Sequence, residues 1–313
     1  MTAPPPPSAS TGAAPVVVTG ATGRQGGATA RRLLAAGRPV RALVRDPAAP
    51  AAAALARAGA ALVRADFDDP ASLPPALAGA RGLFIVPPAA FGPGGTELDV
   101  ARGRALADAA AGAGVDHVVF TGVASVPGGA PGWDGKYLVE GVLRARLPRV
   151  TVLRPARFMS NYLGTLAHGI EGIHDGVHRH LFPPDEPVQI IAVEDIAEFA
   201  ALAFDDPERF GGRTLELAGD APTPLAAAAA ISEAVGSEVR YEQLTAEQAA
   251  ALGPEVAGAR ERWLGGAHWH ADIEALRVIH PGLRTLGTWL AETGAAALRA
   301  QLRADGTRAH AQD

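Results

Sequence analysis

Three glycines, Gly20, Gly23 and Gly26, are spaced at three-residue intervals after the apolar run Val16–Thr19. A turn without side chains lets a diphosphate reach the free N–H groups at the start of a helix, and the third glycine lets that helix pack closely on the strand. The order of strand, glycine turn and helix therefore predicts a site for the diphosphate of a dinucleotide. The alternative interpretation is a glycine-rich turn that binds no ligand.

Charged residues after the next two apolar runs bear on which dinucleotide would bind. Arg45 lies about 20 residues after the last glycine, where a guanidinium could bind a ribose 2′-phosphate, so we predict a preference for NADP(H) over NAD(H). In the alternative, Asp46 binds a 2′-hydroxyl. Asp66, after the third run, could accept a hydrogen bond from the adenine amino group. The alternative role for an acidic residue here is to cap the next helix, and Asp68 or Asp69 fits that role better than Asp66.

Short β-branched runs alternate with longer Ala- and Leu-rich segments from Val16 onwards, which is typical of repeated βαβ units. Near-continuous apolar strands predict burial on both faces of a parallel sheet. The fold class is therefore α/β, with a Rossmann-type doubly wound parallel sheet. Its predicted strands are Val16–Thr19, Val40–Val44, Ala61–Arg64, Leu83–Val86, Val115–Thr121 and Val150–Leu153, and its predicted helices are Gln25–Ala36, Ala51–Ala58, Leu98–Ala113 and Lys136–Arg146.

The alternation loosens after Leu153, which predicts a smaller mixed α/β carboxy-terminal domain. We expect a disordered leader over residues 1–15, a dinucleotide-binding domain over 16–155 to which later segments return, a substrate-binding part over 156–304 and a solvated tail over 305–313. The predicted strands after Leu153 are Val188–Ala192, Thr214–Leu217 and Val239–Glu242, and the predicted helices are Glu194–Phe204, Leu225–Val235, Ala246–Leu252 and Thr285–Arg303.

Composition excludes several classes of protein. The formal net charge is -5, so there is no overall positive field to attract a nucleic acid. The chain has no cysteine, which excludes disulfides, thiol nucleophiles and cysteine-bound metals. No apolar run approaches the roughly 20 residues that cross a bilayer, and the leader lacks the basic and apolar regions of a signal peptide. We expect a cytoplasmic protein without a membrane or nucleic-acid partner.

Further motifs join the glycine turn in a specific set. They are Gly20-Ala-Thr-Gly23-Arg-Gln-Gly26-Gly27, Arg45, Asp66-Phe67, Leu153-Arg-Pro-Ala-Arg-Phe-Met-Ser-Asn161, Val193-Glu-Asp-Ile-Ala197, Arg213-Thr-Leu-Glu-Leu217 and Pro281–Leu290. As a set they resemble the NmrA-like proteins, atypical members of the short-chain dehydrogenase/reductase superfamily. The resemblance extends from about Val16 to Leu290.

The resemblance implies a domain that holds NADP(H) and a small carboxy-terminal domain that walls one side of the substrate cleft. Gly20–Gln25 would wrap the diphosphate, Lys136 would reach the nicotinamide ribose, and Phe158–Asn161 would border the nicotinamide. The full set of implied cofactor contacts is Gly20, Ala21, Thr22, Gly23, Arg24, Gln25, Gly26, Arg45, Asp66, Phe67, Pro87, Pro88, Ala89, Lys136, Phe158, Met159, Ser160 and Asn161.

The catalytic group departs from the superfamily. An ordinary short-chain reductase has a tyrosine four residues before the active-site lysine, whose ammonium lowers the pKa of the phenol so that it can protonate a carbonyl. Here Lys136 is present, but Gly132 takes the tyrosine position and Val123 the usual hydroxyl position, with Thr121 and Ser125 nearby. Lys136 is the predicted catalytic residue, acting directly or through a water. In the alternative it only binds the ribose.

Two functional classes remain. In the first, the chain is an NADPH-dependent oxidoreductase that transfers hydride to a small apolar or aromatic carbonyl, enone, imine or quinone. In the second, it binds NADP(H) without turnover and signals to a protein partner through a mobile segment, Phe91–Gly95 or His168–Pro187. The sequence favours the enzyme and leaves a homodimer open. The predicted substrate-binding residues are Trp133, Phe158, Asn161 and Tyr162, with Met159, Trp263 and Trp269 as further lining.

Histidines form two tracts, one at His168, His174, His178 and His180 and the other at His268 and His270. His174 and His178 could bind a metal only if their segment were helical, and Gly172 and Gly176 oppose a helix. We therefore predict a solvated or substrate-facing loop and no metal site. An alternative role for His174 or His178 is that of proton donor to the substrate.

Overall fold

The computed structural model describes residues 14–88, 90, 92–129, 134–164 and 170–309 of the 313-residue chain, with side chains up to residue 304. Five residues singled out above lie outside the described residues: Ala89, Phe91, Gly132, Trp133 and His168. Most of the predicted leader and the end of the predicted tail also lie outside them. In the described ranges, none of the helices combines the length and the hydropathy that crossing a bilayer requires.

Twelve strands and thirteen helices are defined in the described residues. The strands are β1 (Val16–Val18), β2 (Val40–Val44), β3 (Ala61–Arg64), β4 (Gly82–Ile85), β5 (His117–Thr121), β6 (Val150–Pro155), β7 (Arg157–Phe158), β8 (Ile173–His174), β9 (Val177–His180), β10 (Ile190–Ile191), β11 (Thr214–Leu217) and β12 (Arg240–Gln243). The helices are α1 (Arg24–Ala35), α2 (Pro50–Arg57), α3 (Leu73–Leu77), α4 (Gly95–Gly112), α5 (Asp134–Arg146), α6 (Val193–Asp205), α7 (Pro207–Phe210), α8 (Pro224–Val235), α9 (Ala246–Ala251), α10 (Pro254–Leu264), α11 (Ile273–Ile279), α12 (Leu286–Trp289) and α13 (Ala295–Ala309).

The predicted α/β fold with a doubly wound parallel sheet is confirmed. Seven strands lie in the order β11-β6-β5-β4-β1-β2-β3, and the neighbouring pairs from β6 to β3 run parallel. β1 is fully buried, with Val17 opposite Arg41 on one side and Leu83 on the other. The strand order reverses between β1 and β4, and sheets of this kind bind ligands at the carboxyl ends of the strands beside such a reversal.

The described residues divide into two compact units. The first unit contains the described residues up to Val123, those of Ala130–Arg154 and Ile196–Leu215, and its core joins the sheet to α3, α4 and α5. The second unit contains the described residues of Ala124–Gly129, Pro155–Asp195 and Glu216–Asp313. Its core contains the side chains of Met159, Trp263 and Trp289. Each unit therefore buries its own apolar cluster.

The described histidines of the first tract, His174, His178 and His180, lie in a β-hairpin and not in the solvated or substrate-facing loop that the sequence predicted. β8 and β9 pair antiparallel, with His174 opposite Val177, and β9 also pairs with β12. Asp175 and Gly176 take left-handed backbone conformations at the turn. His178 and His180 are buried against the rings of Tyr162, Tyr241 and Phe182, and a run of four polar and β-branched residues gave no sign of that burial.

Helix prediction missed four helices and the interruption of a fifth. The missed helices are α3, α7, α10 and α11. Three of them, α3, α7 and α10, carry proline in their first turn, where a helix tolerates it because the N–H groups there have no partner within the helix. The predicted helix Thr285–Arg303 is interrupted by a π-helical segment, Leu290–Gly294, between α12 and α13. Gly294 lies against the Trp289 ring, where a Cβ would come within 2.5 Å of a ring carbon.

Candidate functional site

The glycine turn joins the carboxyl end of β1 to the amino end of α1. Gly20 has a left-handed backbone with φ of 57° and lies against Val86. Gly23 is the N-cap of α1 and donates its N–H to the main-chain oxygen of Gly20 over 2.9 Å. A Cβ on Gly26 would overlap the main-chain oxygens of Gly20 and Thr19. The turn closes this tightly because these three residues have no side chains.

The first turn of α1 suits an anion. Within the described residues it has no side-chain cap and no acidic residue, so its N–H groups and the positive end of the helix dipole are available to a negative group. The hydroxyl of Thr121, at the end of β5, donates to Gln25 Oε1 over 2.7 Å and fixes that amide. Of the other predicted contacts in the turn, Thr22 and Arg24 are exposed and Ala21 is buried.

Arg45 and Asp46 differ in what their side chains do. Arg45 is exposed directly after β2, and because β1 and β2 are parallel neighbours it lies at the same edge of the sheet as the glycine turn. Asp46 directs its carboxylate back to the chain, where Oδ1 accepts the N–H of Ala48 over 2.9 Å. This arrangement favours Arg45 over Asp46 as the contact to a ribose substituent.

Asp66 and Phe67 follow β3 at that same edge. Asp66 Oδ1 accepts the N–H of Asp68 over 3.1 Å, and the half-buried Phe67 packs on the core of the first unit. Asp68 pairs through both carboxylate oxygens with Arg102, at 2.7 and 2.8 Å. Asp69 holds the N-cap position of the 3-10 helix Pro70–Ser72 without a capping side-chain hydrogen bond among the described residues. These carboxylates therefore stabilise turns and an ion pair, and none of them caps this helix.

Lys136 lies in the first turn of α5, and its ammonium is buried. Nζ donates to Asp99 Oδ2 over 2.9 Å and to the main-chain oxygen of Pro88 over 3.0 Å. Burial lowers the pKa of Lys136, and the neighbouring Asp99 carboxylate opposes that shift. Pro87 is half-buried and Pro88 exposed, after β4. Lys136 therefore ties α5 to the segment after β4, where the resemblance implies cofactor contacts at Pro87 and Pro88.

The two hydroxyls near Val123, at the superfamily's usual hydroxyl position, are engaged with other side chains. Thr121 donates to Gln25. Ser125 donates its hydroxyl to Glu216 Oε1 over 2.6 Å and its N–H to Oε2 over 3.0 Å. Each of these hydroxyls therefore already donates to another side chain.

The segment predicted to border the nicotinamide and the substrate belongs to the second unit. Phe158 ends β7, and Met159–Leu163 form a 3-10 helix. The side chains of Met159 and Tyr162 are buried in the core of this unit, whereas Phe158 and Asn161 are half-buried. The hydroxyl of Ser160 is buried without a hydrogen-bond partner among the described residues. Phe158 and Asn161 thus keep the most exposed side chains of the predicted set.

A buried ionic network fixes this segment. Arg157 donates from Nε to Glu171 Oε2 over 2.9 Å and from Nη2 to the Glu171 main-chain oxygen over 2.8 Å. Asn161 Nδ2 donates to the same Oε2 over 3.1 Å, and His180 Nε2 lies 3.4 Å from Oε1. Burial alone would raise the pKa of Glu171, but the Arg157 guanidinium and the hydrogen bond from Asn161 outweigh it and hold that pKa well below its usual range. The Glu171 carboxylate is therefore favoured in its ionised form, in which it accepts from the Asn161 amide.

The buried histidines of the hairpin are neutral. His178 lies between the rings of Tyr162 and Tyr241, with centroids 5.1 and 5.3 Å away. Burial lowers the pKa of His178 well below its ordinary value and also lowers the pKa of His180. A buried neutral imidazole is a poor proton donor, which disfavours that role for His178. Among the described residues, no group of three or more His, Asp or Glu could hold a metal ion.

Comparison with known proteins decides the family. The family model described as NmrA-like matches residues 13–260. The chain belongs to the NmrA-like family. Among NmrA-like relatives, the NmrA-like family domain-containing oxidoreductase FrzB of Cladobotryum sp. is 31% identical over 254 residues, covering 72% of this chain and 75% of the relative. The NAD(P)H azoreductase of Xenophilus azovorans is 31% identical over 237 residues, covering 75% and 78%.

Solved structures share the NmrA-like fold over most of the chain. NmrA, a negative transcriptional regulator, in complex with NADP has a TM-score of 0.72 at 20% identity and covers 94% of this chain and 98% of its own. The NADPH-dependent quinone oxidoreductase QOR2 of Escherichia coli, complexed with NADPH, has a TM-score of 0.70 at 25% identity, with 88% and 98% covered. Proteins similar to this NmrA-like chain thus include reductases and a regulator.

Sequence reasoning on this NmrA-like chain missed the partners of its predicted site residues. Asp99 holds Lys136 from 37 positions away, and Thr121 holds Gln25 from 96 positions away. The sequence did contain one indication that Asp99 has a buried partner. It shares a face of α4 with the buried Gly103 and Leu106, at the spacing of an apolar stripe. An acidic residue on such a stripe indicates a buried partner of opposite charge.

Proposed function

We propose that this NmrA-like chain is an NADPH-dependent reductase that transfers hydride to a small apolar or aromatic carbonyl, enone, imine or quinone. The observation that carries the proposal is the side-chain-free turn at the start of α1, with Arg45 at the end of the neighbouring strand. Relatives named as an azoreductase and a quinone oxidoreductase support it and add azo compounds to the substrates worth testing.

The described residues fit the cofactor at its charged end. Main-chain N–H groups of Gly20–Gly26 would hold the diphosphate, and the Arg45 guanidinium would bind the 2′-phosphate through charge-assisted hydrogen bonds. Asp66 would accept from the adenine amino group. Bound NADPH would supply the hydride. Phe67, Pro87, Pro88, Lys136 and Phe158–Asn161 stay predicted contacts, and Ala89 lies outside the described residues.

Lys136 is the residue of this chain proposed to provide the proton that balances hydride transfer. Its ammonium could donate directly or through a water, because burial lowers its pKa and so eases loss of the proton, although Asp99 opposes that shift. Phe158, Asn161 and Tyr162 are the proposed substrate contacts in the described residues. Trp133, also predicted, lies outside them.

Calorimetry and a turnover assay test the proposal together. The protein is titrated with NADPH and with NADP+, and then incubated with NADPH and a panel of quinones, azo dyes, enones, imines and aldehydes. We expect binding, and oxidation of NADPH by at least one class. Lys136→Met keeps the aliphatic stem and should lose turnover by about 100-fold, with a much smaller loss of NADPH affinity from the missing ribose contact. No heat from either form of the cofactor would contradict the whole proposal.

A second candidate is a protein that binds NADP(H) without turnover and acts on a protein partner. The burial of Lys136 favours it, because the ammonium is already committed to Asp99 and Pro88 and its side chain is only 5% exposed. Tight binding of NADPH without oxidation by any compound of the panel would support this candidate and reject the reductase.

A further inference from the structure

Lys136 is the only lysine of the chain. Every other residue of the lysine and arginine pair is an arginine. The 28 lysine and arginine residues of the sequence include this single lysine. Lysine differs from arginine in having a compact ammonium that can lose its proton when buried, whereas a guanidinium stays charged. The one position that departs from arginine is therefore a position where a small titratable cation fits and an arginine would not.

Two residues define the surroundings of the Lys136 ammonium: Asp99, which pairs with it, and Gly135, which lies close to Asp99. Asp99 and Lys136 have side chains that are each 5% exposed, and Asp99 Oδ1 has no hydrogen-bond partner among the described residues. Lys136 is thus the direct partner of this buried carboxylate. A Cβ on Gly135 would lie 2.8 Å from Asp99 Cβ and from Oδ2. The absence of a side chain at Gly135 lets α5 approach α4 closely enough for the pair to form.

Other charged groups near the pair are already engaged. Arg102, three residues after Asp99 on α4, directs two N–H groups to Asp68. Glu140, one turn after Lys136 on α5, accepts two hydrogen bonds from Arg154, at 3.0 and 2.6 Å. The protonation of Lys136 therefore depends on a balance: burial and the charge of the nearby Arg102 disfavour the ammonium, and Asp99 favours it.

We propose that Asp99 is a positioning residue of this site: its carboxylate keeps the buried Lys136 protonated and holds the ammonium against the main-chain oxygen of Pro88. The proposal deepens the proposed reductase, since it rests on Lys136 as that enzyme's proton-donating group. Asp99 itself acts through Lys136. Removing the Asp99 carboxylate changes the pH at which Lys136 loses its proton, and not only the stability of the packing between α4 and α5.

The single lysine makes the titration directly measurable. Protein made with ¹³Cε-labelled lysine gives one side-chain signal, whose shift against pH reports the protonation of Lys136. Asp99→Asn keeps the size of the side chain and removes its charge, so the titration should move to lower pH by about one unit or more. Asp108→Asn is the matched control, since Asp108 lies on the same helix in an exposed ion pair with Arg146. It should leave the titration unchanged.

A second variant tests the same contact without removing the charge. Gly135→Ala places a Cβ against Asp99 and should displace the carboxylate, which shifts the titration in the same direction. Gly141→Ala on the same helix is its control, because a Cβ there meets no atom within 4 Å among the described residues. If Asp99→Asn does not fold, the titration of Lys136 in Gly135→Ala tests the proposal instead.

Two results would overturn the proposal. One is a wild-type Lys136 that has already lost its proton at neutral pH, and the other is an unchanged titration in folded Asp99→Asn or Gly135→Ala. The measurement needs neither cofactor nor substrate, so it stands even if the protein turns nothing over. Where turnover exists, the alkaline fall of kcat should move with the titration in Asp99→Asn. If the titration moves in Asp99→Asn and the kcat profile does not, Asp99 sets the protonation of Lys136 but Lys136 is not the proton donor.

Discussion

Arg45 is the residue on which the choice between the two dinucleotides depends. Its exposed guanidinium lies directly after β2, while Asp46 beside it accepts the N–H of Ala48. An arginine offers two parallel hydrogen bonds to a phosphate, and each charge-assisted bond contributes more than a neutral one. The preference for NADPH should therefore depend on this side chain alone.

We expect Arg45→Ala to weaken NADPH binding by about 10- to 100-fold, the loss of roughly 1.5 to 3 kcal/mol for hydrogen bonds to a charged group. Binding of NADH should change by less than about 3-fold, because the 2′-hydroxyl offers no charge to pair with. Calorimetric titration with both cofactors measures this. Arg57→Ala, at an exposed arginine in the last turn of α2, is the control. Equal losses for the two cofactors would mean that the phosphate is bound elsewhere.

At the scale of elements, the site depends on how closely α1 approaches β1. Gly26 lies in the first turn of α1, where a Cβ would meet the main-chain oxygens of Gly20 and Thr19. Main-chain atoms cannot move aside as a flexible side chain can. A methyl group at Gly26 must therefore push the helix away from the strand and spread the N–H groups of its first turn.

Gly26→Ala should lower the free energy of unfolding by about 1 to 3 kcal/mol, as overpacking does elsewhere, and should abolish measurable NADPH binding. Urea unfolding and calorimetry test the two effects. Gly112→Ala, in the last turn of α4, is the control because a Cβ there meets no atom within 4 Å among the described residues. It should be neutral or stabilising by up to about 1 kcal/mol. Unchanged NADPH affinity in Gly26→Ala would remove the glycine turn from the cofactor site.

At the scale of the whole molecule, both units bury histidines that are neutral in the folded state. In the first unit, His117 Nε2 lies 2.8 Å from Thr151 Oγ1, and that hydroxyl donates to the main-chain oxygen of Phe210 over 2.8 Å. Burial lowers the pKa of His117 to about 4. In the second unit, His178 and His180 are buried with Arg157 nearby. The unfolded chain binds protons at these positions before the folded chain does, so acid favours unfolding.

The stability should fall as the pH drops from about 6.5 towards 4, the window between the unfolded and folded pKa values of His117. His117 alone should contribute a loss of about 3 kcal/mol by the end of that window. Urea unfolding at a series of pH values measures it. His117→Gln keeps a donor for Thr151 and should flatten the dependence, whereas His270→Gln, at an exposed histidine, should not. A slope equal to that of the wild type in His117→Gln would contradict this assignment.

The sequence by itself determined the strand and helix alternation, the parallel sheet, the glycine turn and the position of Arg45. Each of these follows from local spacing, because a buried strand, a tight turn and the helix after it are neighbours along the chain. The resemblance to the NmrA-like family rested on the same kind of short motif. The hairpin β8–β9 was not predicted, since its histidines are buried against aromatic rings that include Tyr241 of β12, a strand 60 residues further along the chain.

Only the tertiary structure decided which side chains meet. The pairs Asp99 with Lys136, Thr121 with Gln25 and Arg157 with Glu171 each join different elements of the chain. Spacing along one helix or strand says which face a residue occupies, but not what packs against that face. The charge state of Lys136 therefore became readable only once α4 and α5 were placed side by side.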